Sequence, residues 1–262
     1  MSGAAWGDLG TRLATGAGLV AVGAAGIWAG GHAFHALVAV VSGLMIWELG
    51  GMLDRRPAVR RGLGAAAGVA VLAAIYLPPG LALPVLLAPA LLGFGIIARD
   101  RALCMGYTAL VCLAGFGMMG VRDDFGALWM LWLVAVVVAS DVAGYFAGRA
   151  LGGPKFWPRI SPKKTWSGTV AGWIGGGAVG AGFAGATGAG AGLIGVSVAV
   201  AMAAQMGDVA ESAMKRHLGV KDSSALLPGH GGLLDRFDGM LGAALLVLIA
   251  EQVVRFPPGA AT

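Results

Sequence analysis

Nine apolar runs, each close to the length of a bilayer-spanning helix, follow one another along the chain at about 13–31, 33–53, 62–78, 81–98, 102–121, 125–147, 169–187, 189–206 and 239–256. A helix needs roughly 20 mostly apolar residues to cross the hydrocarbon core of a membrane. Of the 262 residues, 58% are hydrophobic and only 12% are charged, where an ordinary soluble domain carries about 25% charged residues. That balance excludes a soluble protein, and no separate soluble domain interrupts the runs. The expected fold is all-α, a polytopic membrane protein with about nine transmembrane helices. It forms a single polytopic membrane domain over 1–262, with residues 1–124 as N-terminal scaffold helices and 125–262 as the part bearing the chemistry.

The placement of charge gives the orientation. Fifteen of the 18 Lys and Arg residues fall after the second, fourth, sixth and eighth runs: Arg55, Arg56, Arg60 and Arg61; Arg99 and Arg101; Arg149, Lys155, Arg159, Lys163 and Lys164; Lys215, Arg216, Lys221 and Arg236. Arg12 precedes the first run on that same side, whereas Arg122 and Arg255 fall on the other. Positive charge marks the cytoplasmic side, so the parity predicts a multi-pass inner (cytoplasmic) membrane protein with its N-terminus inside and its C-terminus outside. The first run has the flanks of a signal peptide, Arg12 before an apolar stretch with small residues near Ala21 to Ala25, but the charge parity favours its retention. Topology and attraction to anionic lipid account for the net charge of +5, and no nucleic-acid partner is needed.

Several features carry no chemistry or stay open at this level. Around the tract "GGGAVGAGFAGATGAGAGLIG", Gly172 just before it and Gly176 and Gly180 within it stand four apart, as a close helix contact in lipid requires. Equally, 47 glycines produce such spacing by chance. Cys104 and Cys112 read as small apolar packing residues. Glu48 stands out as a carboxylate in an apolar run, yet its place near the cytoplasmic end and near Arg55 suits a snorkelling or paired structural residue as well as a catalytic one. His32 and His35 flank an outer turn.

Polar residues of the C-terminal half concentrate in three pieces on the cytoplasmic side. In "ASDVAGYFAGRALGG", Asp141 and Tyr145 are four apart and share a helix face. The piece "ISPKKTWSG" reads as a loop because of Pro158 and Pro162, and sets Ser161, Lys163, Lys164 and Thr165 before a helix start, a setting that suits an anion. In the third piece, 205–239, a helix leaving the eighth run would put Asp208, Glu211, Ser212 and Lys215 on one face with Arg216 beside it. "LPGHGG" then breaks the chain before Asp235 and Asp238. Aspartates from two elements among basic groups suit a hard cation such as Mg²⁺ bound to a phosphate substrate, since Mg²⁺ takes one or two carboxylates and leaves its other positions to water and phosphate.

The segment "SAMKRHLGVKDSSALLPGHGGLLDRFD", 212–238, resembles the signature of the phosphatidate cytidylyltransferase (CDP-diacylglycerol synthase) family. Its pattern is Ser-x-apolar-Lys-Arg, four residues, Lys-Asp, then Pro-x-His-Gly-Gly and Asp-Arg-x-Asp, with no mismatch. The likeness extends upstream through 207–212, "SPKKTW" at 161–166 and Asp-x-x-x-Tyr-x-x-Gly-Arg at 141–149. It covers roughly the C-terminal 120 residues. The N-terminal part shares only hydrophobicity, and Ser167 stands where the family commonly has Glu.

The resemblance implies that CTP and phosphatidate give CDP-diacylglycerol and pyrophosphate at the lipid bilayer's cytoplasmic face. By the same analogy Asp208 and Asp235 are expected Mg²⁺ ligands, with Asp238 and Asp141 completing an acidic cluster that has room for a second cation. Ser161, Lys163, Lys164 and Thr165 would hold nucleotide phosphates; Lys215, Arg216 and Arg236 would neutralise either substrate; and His230 would orient a phosphate. Gly231 and Gly232 would let the backbone approach a ligand. Ser212, Lys221 and Tyr145 complete the expected substrate-binding set, and a homodimer is left open. The alternatives are a CTP-dependent lipid kinase and a cytidylyltransferase for a non-glycerol lipid phosphate. A transporter would instead collect its binding groups near mid-membrane.

Overall fold

The computed structural model describes residues 3–253 and 256; Arg255, which the charge argument used, lies outside the described residues. The elements follow in the order α1 (Gly3–Ala29), α2 (Gly31–Leu53), α3 (Pro57–Ala74), α4 (Pro79–Ile96), α5 (Arg101–Asp124), α6 (Ala127–Leu151), β1 (Lys155–Trp157), β2 (Ser161–Thr165), α7 (Trp166–Thr187), α8 (Gly192–His217) and α9 (Leu234–Ala250). Each apolar run became a helix. Among the described residues, five stretches, Gly10–Ala29, Gly31–Leu53, Arg101–Asp124, Ala127–Leu151 and Gly192–His217, are long and apolar enough to cross a membrane; Gly80–Ile96 is a shorter apolar helix.

Two sequence readings are corrected by the backbone, and a third, left open, is settled. The fold is not purely helical: the segment around "ISPKKTWSG", read as a loop, is an antiparallel hairpin in which Lys155 pairs with Thr165 and Trp157 with Ser161. A two-stranded ribbon has no inner strand, so Pro162 can sit in it without breaking a second ladder. The last helix begins at Leu234, before the apolar run proper. The glycine tract is a close helix contact. A Cβ at Gly172 would lie 2.8 Å from Ser140 Oγ, one at Gly176 2.7 Å from Ala201 Cβ, and one at Gly180 3.0 Å from the Leu193 carbonyl.

The chain divides into two compact units, Met1–Met119 with His217–Phe237, and Gly120–Arg216 with Asp238–Thr262. In the first, α2 and α3 cross at Gly43 and Gly64, and Ile46, Leu49, Leu63, Ala67 and Val71 are almost fully buried. Cys104 and Cys112 are free thiols buried there, in keeping with a packing role. His35 and His32 both hydrogen-bond the Tyr76 hydroxyl, at 2.8 and 2.5 Å. At the end of α2 the Arg56 guanidinium binds Asp54 and holds its carboxyl below the usual carboxylate range.

In the second unit, α7 packs against α6 through its small residues, and Trp132 is wholly buried with its indole N–H donating to Ser197 Oγ at 2.9 Å. Gly188, with φ of 72°, ends α7 in the left-handed region, where a Cβ would be strained.

Candidate active site

The second unit builds a cavity of about 520 Å³ from four elements. Helix α6 contributes Asp141, Tyr145 and Arg149 from successive turns, as the four-residue spacing predicted. The hairpin contributes Lys163 and Lys164, the start of α7 contributes Thr165 and Thr169, and α8 contributes Gln205 and Asp208. These elements approach closely because glycines stand where they meet: a Cβ at Gly148 would lie 2.9 Å from Thr165 Oγ1, and one at Gly144 3.1 Å from the Gly168 carbonyl.

Thr165 caps α7, its Oγ1 accepting from the Gly168 N–H at 3.2 Å. A helix N-terminus therefore stands in the cavity wall, where its dipole and unsatisfied N–H groups favour an anion. Lys164 is held in place before any ligand arrives. Its ammonium is 2.5 Å from Asp208 Oδ2 and donates to the Gln205 carbonyl at 3.4 Å. Arg149 donates to the Tyr145 hydroxyl at 3.0 Å. The wall thus combines three cationic side chains with two carboxylates, a composition suited to a polyphosphate with a counter-cation.

Along α8 the expected face is present. Ser212 donates to Asp208 Oδ1 at 3.3 Å, and Lys215 lies 2.5 Å from the buried Glu211. Gly207 lets the start of α9 approach: a Cβ there would run into the Asp238 carbonyl. Asp141, Asp208 and Asp238 lie close enough to act on one another electrostatically, with Lys215 tempering Asp238. Among the described residues, no group of three or more His, Cys, Asp or Glu side chains is arranged as a ready-made metal cage. Ser161 begins β2 and Arg216 is exposed near the end of α8; neither lines the cavity.

The remaining expected residues belong to the first unit. Lys221 is exposed, as is Arg236, and the His230 Nδ1 is enclosed without a hydrogen-bond partner among the described residues. Asp235 is buried, and its Oδ2 accepts from Ser223 N at 2.9 Å, Ser223 Oγ at 2.9 Å and Gly232 N at 2.8 Å. The glycine pair has a local explanation. Gly231 has φ of 84°, and a Cβ on Gly232 would collide with Ser223 Oγ and lie 2.6 Å from Glu48 Oε1.

Sequence reasoning passed over Gln205 and Thr169. The Gln205 Nε2 donates to Ser140 Oγ at 3.2 Å and to the Thr169 carbonyl at 3.1 Å, tying α6, α7 and α8 together at the cavity. Its position one turn before Asp208 on the same helix was the available signal.

Ser167, at the departure from the family pattern, shares a hydrogen bond with Thr165 and donates to the Gly152 carbonyl, fastening the start of α7 to the end of α6. Ser167→Ala is expected to cost about 1 kcal/mol, read as a melting temperature lowered by a few degrees, with any catalytic activity retained.

The second unit thus carries a cationic, carboxylate-bearing cavity at a helix start, a setting whose charge and free N–H groups suit a phosphorylated ligand. The sequence profile of the cytidylyltransferase family matches residues 10–254, and the chain belongs to that family. It is 43% identical over 152 residues to the phosphatidate cytidylyltransferase of Brucella suis biovar 1 (strain 1330), covering 55% of this chain and 56% of that one. It is 44% identical over 132 residues to that of Helicobacter pylori (strain ATCC 700392 / 26695), covering 50% and 49%. The protein of the same name from Mycobacterium bovis (strain ATCC BAA-935 / AF2122/97) is 41% identical over 138 residues, covering 51% and 44%. The chain spans about half the length of the curated relatives it matches.

Proposed function

We propose that the chain is a Mg²⁺-dependent phosphatidate cytidylyltransferase, working at the cytoplasmic face of the inner membrane with nine spans and its N-terminus inside. The observation that carries this reading is the cavity in which Lys163, Lys164 and Arg149 stand with Asp208 and Asp141 at the start of α7. The names of its relatives supply the substrate class.

In the reaction, an oxygen of the lipid phosphate forms a bond to the α-phosphorus of CTP. The bond from that phosphorus to the bridging oxygen breaks, and pyrophosphate leaves. The attacking oxygen is already anionic, so no strong general base is required. The difficulty is bringing two polyanions together and accommodating the charge on the leaving group. Lys163, Lys164, Arg149 and Thr165 would hold nucleotide phosphates. Lys164, already fixed by Asp208 and the Gln205 carbonyl, loses little conformational freedom on binding.

The donor set fits Mg²⁺, which needs few protein carboxylates when phosphate oxygens and water complete its shell. Asp208 and Asp238 would hold it, Asp141 would stand beside them, and Asp235 enters through the family motif. The ion would neutralise phosphate charge. Lys215, Arg216 and Arg236 are assigned to charge neutralisation and His230 to orienting a phosphate.

The decisive assay follows label from CTP into lipid. Label carried on the cytidine should enter a lipid whose mass increases by CMP, and label on the γ-phosphate should leave as pyrophosphate. Transfer of γ-phosphate to lipid would overturn the reading in favour of a CTP-dependent kinase. A CMP-bearing product formed only from a non-glycerol lipid phosphate would replace the substrate. Removing divalent cations with a chelator is expected to abolish product, and Mg²⁺ added back should restore it; undiminished turnover in chelator would remove the metal from the proposal.

A further inference from the structure

Glu48 lies on α2, far in sequence from every motif of the C-terminal half, and it is 1% exposed. Its carboxylate is the partner of the signature segment. Oε1 accepts from Ser224 Oγ at 2.6 Å and from the Leu233 N–H at 2.9 Å; Oε2 accepts from the Leu234 N–H at 2.8 Å and from Ser223 Oγ at 3.3 Å. A helix start leaves backbone N–H groups without partners, and Ser, Thr, Asp or Asn just before it normally caps them. Before α9 the chain has Leu233, which cannot. Glu48 performs that task from 186 residues away, and its charge suits the positive end of the helix dipole.

The segment is held at a second point. Asp235 accepts from Ser223 and Gly232, so Ser223 stands between two buried carboxylates. The backbone between them turns at Gly229 and Gly231, with φ of 74° and 84°, and closes by a bridge between Leu227 and Gly231. No residue larger than glycine fits at 232 against Glu48 and Ser223. Every polar group spent here shapes the stretch that carries His230 and leads into Arg236.

We infer that Glu48 is a positioning residue, which holds segment 223–236 in the shape in which His230 and Arg236 receive the lipid phosphate. This rests on the reaction proposed above, whose nucleotide-phosphate groups, Lys163, Lys164 and Thr165, lie outside the segment. Within that reading His230 and Arg236 are taken to meet the lipid phosphate, and Glu48 acts through them rather than on the substrate.

The test uses the full chain in detergent with Glu48→Gln, which keeps the size of the side chain but replaces an acceptor with a donor facing other donors. Hydrogen exchange of peptides covering 223–236 should speed up by roughly tenfold or more, with peptides of α6 to α8 unchanged. The KM for phosphatidate should rise about tenfold while that for CTP stays within about twofold. Mere loss of folded protein would lower the apparent kcat and leave both KM values alone, and that result would overturn the positioning role. Unchanged exchange over 223–236 would overturn it as well. Should Glu48→Gln fail to fold, Ser224→Ala removes one donor of the network and is expected to move exchange and lipid KM in the same directions by less; no movement in either would overturn the inference. A wild-type protein that makes no CDP-lipid would count against the reaction itself, while the exchange result would still report on the shape of the segment.

Discussion

Asp208→Asn is expected to lower the turnover of CTP and phosphatidate by about 10²–10³-fold, the range found when a single charge-stabilising group is removed from a transition state. The change keeps the shape of the side chain. What it removes is the negative charge that holds Lys164 at 2.5 Å and a carboxylate proposed for Mg²⁺. The hydrogen bond from Ser212 can persist to the amide oxygen. Stability should hardly change, because the Lys164–Asp208 pair is partly exposed, with side chains 23% and 32% accessible, and pairs of that kind contribute about 0–1 kcal/mol. A kcat measurement beside a melting curve separates the two effects. A variant that melts as wild type does and turns over within about threefold of it would remove Asp208 from the chemistry.

The second large effect concerns folding. Gly172→Leu is expected to yield no monodisperse protein in detergent. A Cβ at 172 would already overlap the Gln205 amide and come within 2.9 Å of the Ser140 carbonyl, so a leucine forces α6, α7 and α8 apart. Overpacking a well-filled core commonly costs about 1–3 kcal/mol, and in lipid, where helices associate through packing, hydrogen bonds and lipid entropy rather than a hydrophobic driving force, there is little to offset it. The Gln205 bonds to Ser140 and Thr169 would go with the contact. Gly182→Leu on the same helix is the control, because a Cβ there meets nothing within 4 Å, and it should purify as the wild type does. Size-exclusion profiles of the two variants decide the matter.

Much of the cavity was legible in the sequence, for physical reasons that differ by residue. Asp141 and Tyr145 announce a shared face because helical geometry fixes what a spacing of four means. Lys163, Lys164 and Thr165 stand out because basic and hydroxyl groups immediately before a helix suit an anion, and all three line the cavity. The hairpin was hidden because Pro158 and Pro162 argue for a loop, and a two-stranded ribbon tolerates what a wider sheet would not. The glycine tract was undecidable at that level because helical spacing in a chain with 47 glycines carries little information; only the neighbours of Gly172, Gly176 and Gly180 show the contact.

The least legible feature was the shape of the signature segment. Its glycines read as room for a ligand, and Gly232 also makes room for Glu48 and Ser223. The apolar run opens only at about 239, so the helix was expected to begin later than Leu234. The early start of α9 escaped notice because a carboxylate that completes the segment, Glu48, comes from α2, and periodicity and motif spacing register only local relations. The same limit explains why the N-terminal half reads as scaffold alone.

The most direct measurement is pyrophosphate release by the purified protein given CTP, Mg²⁺ and phosphatidate, with the lipid product weighed by mass spectrometry. The expected result is release that depends on phosphatidate, matched by a CDP-lipid in equal amount, and lost in Asp208→Asn. Folded protein that releases no pyrophosphate, or that releases it without any CMP-bearing lipid, would contradict the assignment of this cavity to cytidylyl transfer.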